Sequence, residues 1–244
     1  MNEMLEVIEA RRSARVPFDQ THPIAGEDLL QILEAARWAP TAHNMQNFEI
    51  IVIDDQKLLD QIGTIRFQLT EAFLRENVQL LSFSEEELRQ KRVGVLAAVL
   101  PAAIRDPDPM KMDPLASKGI PLSRLMPSCP ALLILMYDDR KRAPASEGDM
   151  LGIMSLGCVL ENMWLVADSL NLGFHTMDVF GMPSVEPAVK DLLAIPTFMK
   201  IAVAARVGYP VATSRADLTV RREVGEFTHW NRFGSMDRDH QGQS

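Results

Sequence analysis

Two stretches hold side chains that could bind an organic anion and a flat ring. In the first, RRSAR at residues 11–15, an extended backbone would turn Arg11, Ser13 and Arg15 to one face, because strand side chains alternate with period two. Two guanidinium forks around a hydroxyl match phosphate oxygens, which accept paired hydrogen bonds from arginine. Arg12 points away on the same reasoning, and a basic cluster near a terminus equally suits a plain solvated face. Arg221 and Arg222, far along the chain, could converge on the same anion. In the second stretch Thr41, His43, Asn44 and Gln46 crowd one polar loop. Amides and hydroxyls held there could meet the edge of a heteroaromatic ring, which offers donors and acceptors but no charge. The alternative is that Thr41 and Asn44 only cap a turn.

The flanking elements must hold these stretches still. Leu29, Leu30, Ile32, Leu33, Ala36 and Trp38 follow the three-to-four spacing of one helix face, and Pro40 stops that helix. FEIIVI after the loop is β-branched and aromatic, as a strand favours. Residues 3–10 predict a short amphipathic helix ahead of RRSAR, and Asp54 and Asp55 a cap for a helix through residues 57–62. Helical periodicity covers residues 67–81, and Ser84 with Glu87 makes a capping box whose helix is expected to run on into the apolar VGVLAAVLPAAI, lying against the body. Six prolines between residues 105 and 130 argue against regular structure. They predict a lid-like segment, about 64–130, that shapes access to a pocket.

ALLILMY (131–137) and KIAVAARVGYP (200–210) read as buried strands. Residues 149–170 predict a helix apolar on almost every side, with Glu161 and Asn162 as the polar exceptions in its middle. Such a helix belongs either in the middle of a domain or at a subunit interface. The alternation of strands and helices predicts an α+β or α/β arrangement as one domain over residues 1–234, followed by a polar tail, 235–244, expected to be disordered.

The net charge of -8 argues against affinity for nucleic acid. Cys129 and Cys158 lie in no CxxC, and His22, His43, His175, His229 and His240 lack ligand spacing, so no metal site is expected. MNEMLEVIEARRS lacks the charge and apolar core of a signal peptide, and no uninterrupted apolar run reaches membrane-spanning length. A cytoplasmic protein with no membrane partner is expected. Walker A, GxGxxG, HExxH and GxSxG motifs are absent.

In order and register, these pieces resemble the nitroreductase family of FMN-dependent oxidoreductases. RRSAR is similar to the family's RRSxR element, and AARWAPTAHNMQNFEIIVI to its AARxAPSxxNxQPW-strand element, with Thr41, Asn47 and Phe48 as departures. ENMWLVADSLNLGFHTMDVFG resembles the central helix and flavin-facing loop, and ARVGYP with Arg221, Arg222 and FTHWNRFG the closing strand and tail. The resemblance implies a three-layer α+β fold, a mixed, mainly antiparallel sheet wrapped by helices, in a domain-swapped homodimer with FMN at the subunit interface.

It also implies roles for particular residues. Arg11, Arg12 and Ser13, with Arg221 and Arg222, belong to the phosphate-binding set, and Arg15 would stabilise negative charge at flavin N1 and the C2 carbonyl. Pro40, Thr41, Asn44 and Gln46 would meet the ring or ribityl chain, some from the partner subunit. Val179, Phe180 and Gly181 would face the ring through backbone groups. The implied activity is hydride transfer from NADH or NADPH, through flavin N5, to a nitroaromatic, quinone or activated alkene. Two other readings stand beside it: an FMN enzyme of another reaction type, such as dehalogenation or dehydrogenation, and a non-enzymatic flavin-binding protein.

Overall fold

The structure, a computed structural model, describes residues 2–68, 70, 72, 75–100, 119–143, 148–211 and 218–235. The chain groups into two compact units, residues 1–68 with 114–214 and residues 69–113 with 215–244.

The first unit begins with α1 (Glu3–Ala10), capped by the Asn2 side chain, and α2 (Gly26–Arg37), whose apolar stripe buries Ile32 and Ala36. β1 (Glu49–Ile53) and α3 (Gln56–Thr64) follow, with Asp55 accepting from the Lys57 and Leu58 amides at α3's start. β2 (Arg66–Phe67) closes this part of the chain.

The second unit holds a π-helix at Arg75–Leu80, β3 (Ser82–Phe83), α4 (Glu85–Lys91) and β4 (Val95–Leu96), parallel to β3. The predicted capping box is present, with Ser84 and Glu87 bonded reciprocally. The expected continuation of α4 into the apolar run does not occur. Arg92 takes a left-handed conformation (φ 55°) and Gly94 a φ of 91°, which end the helix and turn the chain into β4. Helical periodicity over 67–81 is likewise only partly realised, because β2 takes Phe67 and, among the described residues, helical winding covers Ala72 and 75–80. Residues 101–118 of the expected lid and 236–244 of the expected tail lie outside the described residues.

Back in the first unit, β5 (Ile120–Pro121) pairs with β2, and β6 (Ala131–Asp138) is buried almost throughout. Then come α5 (Met150–Ser169), β7 (Gly173–Met177), α6 (Glu186–Leu193) and β8 (Met199–Gly208). The principal sheet runs β1-β6-β8-β7 with antiparallel neighbours throughout, and an isolated parallel bridge from Ser13 to Phe174 extends its β7 edge. Leu156, Val159, Met163 and Ala167 of α5 pack with Ile32 and Ala36 of α2 and with Leu133, Leu135, Ala205 and Val207 of the sheet.

α5 does not lie in the middle of the domain: it buries a single face, along Leu156, Val159, Met163 and Ala167. Met150, Ile153 and Met154 are exposed within one chain. It is also long and apolar enough to cross a membrane, with mean hydropathy 1.6, which the count of uninterrupted apolar residues missed because small and polar residues interrupt the run. Its polar exceptions face protein: Asn162 Nδ2 donates to the Ala35 carbonyl at 3.0 Å, and Glu161 meets Arg11.

Candidate functional site

The RRSAR segment lies along the β7 edge. The Ala14 amide donates to the Phe174 carbonyl at 3.0 Å, and the Arg15 amide donates back to the Ser13 carbonyl at 3.0 Å. That second bond folds a tight turn at Ala14, so the segment is a single bridge and a turn. The period-two alternation assumed for an extended strand does not hold through it.

Arg11 is largely covered. Its Nε stands 3.5 Å from the half-exposed Glu161 carboxylate, and its guanidinium lies 4.3 Å above the Trp164 ring. Trp164 in turn donates through Nε1 to the Arg12 carbonyl at 3.1 Å. Arg12 bonds the Glu9 and Arg11 carbonyls, closing the C-terminal end of α1. Ser13 is half-buried and Arg15 exposed. Among the described residues no group accepts from the Ser13 hydroxyl, and Arg15 meets no carboxylate. Guanidinium and hydroxyl groups of this kind are the donors from which a phosphate monoester accepts.

Two residues to which the motifs assign no role stand against this segment. Arg206 of β8 is buried, and its guanidinium bonds the carbonyls of Ala14 and Val16, while its Nε donates to His175 Nδ1 at 3.0 Å. Burial, then Arg206, then Arg15 drive the His175 pKa down to about 3, so its ring is neutral at physiological pH. The sequence did carry a signal for Arg206: a lone charge in the middle of a buried strand requires partners.

The turn after β7, Asp178–Gly181, follows directly from this edge. Val179 and Phe180 are fully buried side chains, which leaves only their backbone groups to meet a ligand. At Gly181 a Cβ would stand 2.8 Å from the Ile201 carbonyl oxygen, so the turn sits against β8 more closely than any other residue permits.

The loop before β1 is built from local bonds. Ala39 packs in the core, and Pro40 is exposed beyond the end of α2. Thr41 Oγ1 accepts from the Gln46 amide at 3.1 Å, and Gln46 Nε2 donates to Asn44 Oδ1 at 3.2 Å. His43, Asn44 and Gln46 all have φ near 50°. The loop is tied down at both ends. The Ala42 amide donates to Ser155 Oγ of α5 at 3.0 Å, and Asn47 brackets the end of β6, donating to the Asp138 carbonyl at 3.0 Å and accepting from its amide at 3.2 Å. Ser155 and Asn47 are therefore positioning residues that the motif reading passed over.

Beside this loop lies a small cleft with Met45, Phe48 and Leu156 apolar and Tyr137, Asp139 and Lys141 polar. Burial first, then Asp149 and Asp139, raise the Tyr137 phenol above its usual range.

The loop enters β1, at one edge of the sheet, whereas RRSAR lines β7 at the other. Three strand spacings, roughly 14 Å, separate these edges. Arg221 and Arg222 belong to the second unit, where Arg221 bonds the Val220 carbonyl at 2.7 Å and Arg222 lies 5.5 Å from the Phe227 ring. Among the described residues no group of three His, Cys, Asp or Glu gathers as a metal site.

Comparison with known proteins bears on the family and the fold. A sequence profile described as the Nitroreductase family matches residues 8–209. Over 63 residues the chain is 41% identical to an Archaeoglobus fulgidus protein provisionally named NADH dehydrogenase/NAD(P)H nitroreductase; the match covers 26% of this chain and only 35% of that relative. Among solved structures, the FMN-dependent nitroreductase of Clostridium difficile R20291 superposes with a TM-score of 0.60 at 16% identity, covering 94% of this chain and 100% of that one. The nitroreductase with bound FMN from Bacteroides fragilis NCTC 9343 gives 0.56 at 20% identity, covering 93% and 98%. At these identities the structural likeness is one of fold.

Proposed function

The chain belongs to the nitroreductase family, and from that premise we propose that it is an FMN-dependent oxidoreductase. It uses NADH or NADPH to reduce an electron-poor acceptor, a nitroaromatic, quinone or activated alkene, and works as a homodimer. The observation that supports this reading is the RRSAR segment on the β7 edge, where Arg11 is held against Trp164 and, among the described residues, Ser13 and the exposed Arg15 keep donors to spare for a ligand.

When bound, the flavin supplies the hydride chemistry, first with the nicotinamide and then with the acceptor. The protein binds and orients. Arg11 and Ser13 hold the phosphate, and Arg15 provides fixed positive charge for the reduced ring. Arg12, occupied at the end of α1, contributes backbone shape to the set. Backbone groups of Val179, Phe180 and Gly181 line the ring. Thr41, Asn44 and Gln46, with Pro40 setting the loop's start, approach from a second copy, since they lie on the other edge of their own sheet. The exposed apolar residues of α5 favour the same arrangement, because a second copy would cover them. No acid-base pair is required of the protein, because solvent can supply the proton.

Freshly purified protein should be yellow, with FMN released on denaturation, and should oxidise NADH or NADPH in the presence of nitrofurazone or menadione. Protein that stays colourless with added FMN overturns the reading. FMN-loaded protein without turnover on either acceptor overturns the reductase assignment.

A further inference from the structure

We propose that Arg206 is a positioning residue for the anion-binding segment: from inside the sheet it fixes the backbone that presents Ser13 and Arg15. The inference rests on the reading of that segment as the FMN phosphate site.

Arg206 is 1% exposed. A guanidinium so far from water is tolerated only when its donors are matched. Here every branch is used: Nε donates to His175 Nδ1 at 3.0 Å, Nη1 to the Pro127 carbonyl at 2.9 Å, and Nη2 to the carbonyls of Ala14 at 3.1 Å and Val16 at 2.9 Å. Its plane lies 4.5 Å from the Phe18 ring. None of these partners is a carboxylate, so among the described residues no counter-ion touches this buried charge.

The two carbonyls held by Nη2 flank Arg15 in sequence, so one nitrogen fixes the peptide unit that enters Arg15 and the one that leaves Val16. The chain is also keyed from below. Gly173 and Gly208 pair across β7 and β8, and a Cβ on either would come within 2.6 Å and 2.8 Å of Phe18. The strand glycines make the notch for Phe18, and Arg206 fixes the turn before it. His175 completes the hub. Accepting at Nδ1 from a guanidinium, it carries its own proton on Nε2, and burial, with Arg206 and Arg15 adding to it, keeps it from taking a second.

A core arginine with only a structural role would, when changed, weaken all flavins alike. A positioning role for the phosphate segment predicts selective loss. Isothermal titration of flavin-free wild type and Arg206→Lys with FMN and with riboflavin separates the two. Lysine keeps the charge but cannot reach four acceptors, so FMN affinity should fall about tenfold, as for one lost charged hydrogen bond, while riboflavin affinity changes less than about threefold.

His175→Leu, which strands Nε, should show the same selective loss, and His175→Asn, which restores an acceptor near Nδ1, should recover it. These variants decide the matter if Arg206→Lys fails to fold. An unchanged FMN-to-riboflavin ratio in the folded variants overturns the inference while leaving the flavin reading intact. Wild type that binds neither flavin overturns the flavin reading itself. In flavin-free protein, imidazole nitrogen NMR should show His175 neutral and protonated on Nε2 down to about pH 5. An Nδ1-protonated ring there would refute the contact on which the role rests.

Discussion

His175 gives the residue scale its clearest observable. Its folded pKa is driven down to about 3 from an ordinary 6.5 by burial, with Arg206 and Arg15 adding to it. Below about pH 6.5 the unfolded imidazole takes a proton that the folded one refuses, so stability falls as the pH drops from there toward 3. Urea melts of the flavin-free protein should lose on the order of 1–2 kcal/mol between about pH 7 and pH 5 from this group. His175→Asn should remove most of that slope, and a variant that kept the full slope would assign it elsewhere. At this scale the sequence was partly legible. Arg11, Ser13 and Arg15 stood out by type and spacing, but the turn at Ala14 did not, because it depends on the bond between the Arg15 amide and the Ser13 carbonyl. His175 and Arg206 lie 31 residues apart in sequence and meet only because β7 and β8 pair in one register.

Among the elements, those defined by local chemistry formed where their residues indicate. Ser84 and Glu87 cap α4 as their spacing requires, and Ser84→Ala should cost about 1 kcal/mol. That loss is read as roughly fivefold faster amide exchange across α4, with the first unit unchanged; unaltered exchange would mean the cap does not limit opening. The end of the same helix was not legible. Arg92 is an unremarkable helix residue by propensity, and Gly94 matters because a Cβ there would stand 2.6 Å from the Leu81 carbonyl oxygen, a contact made by β3 and β4. β1, β6 and β8 were read correctly because β-branched and aliphatic runs bounded by turns leave few alternatives.

For the whole molecule the open question is the second copy. Met150, Ile153 and Met154 form an apolar patch on α5, the helix that also holds the Thr41 loop through Ser155. Ile153→Asp should convert a dimer to a monomer in light scattering and release FMN with it. A variant that stays dimeric and yellow would move the proposed seam off this face.

Read alone, the sequence determined the central strands and the helices with strong periodicity or caps, the cationic and amide-rich stretches, and the family they resemble, because those depend on side-chain type and short spacing. The tertiary structure decided what spacing cannot encode. It placed the two stretches on opposite edges of one sheet, and it found partners for the buried Arg206 among carbonyls of Ala14, Val16 and Pro127. A hydrogen bond to backbone leaves no trace in the identity of the residue that accepts it, so only the folded register could reveal which segments that arginine holds.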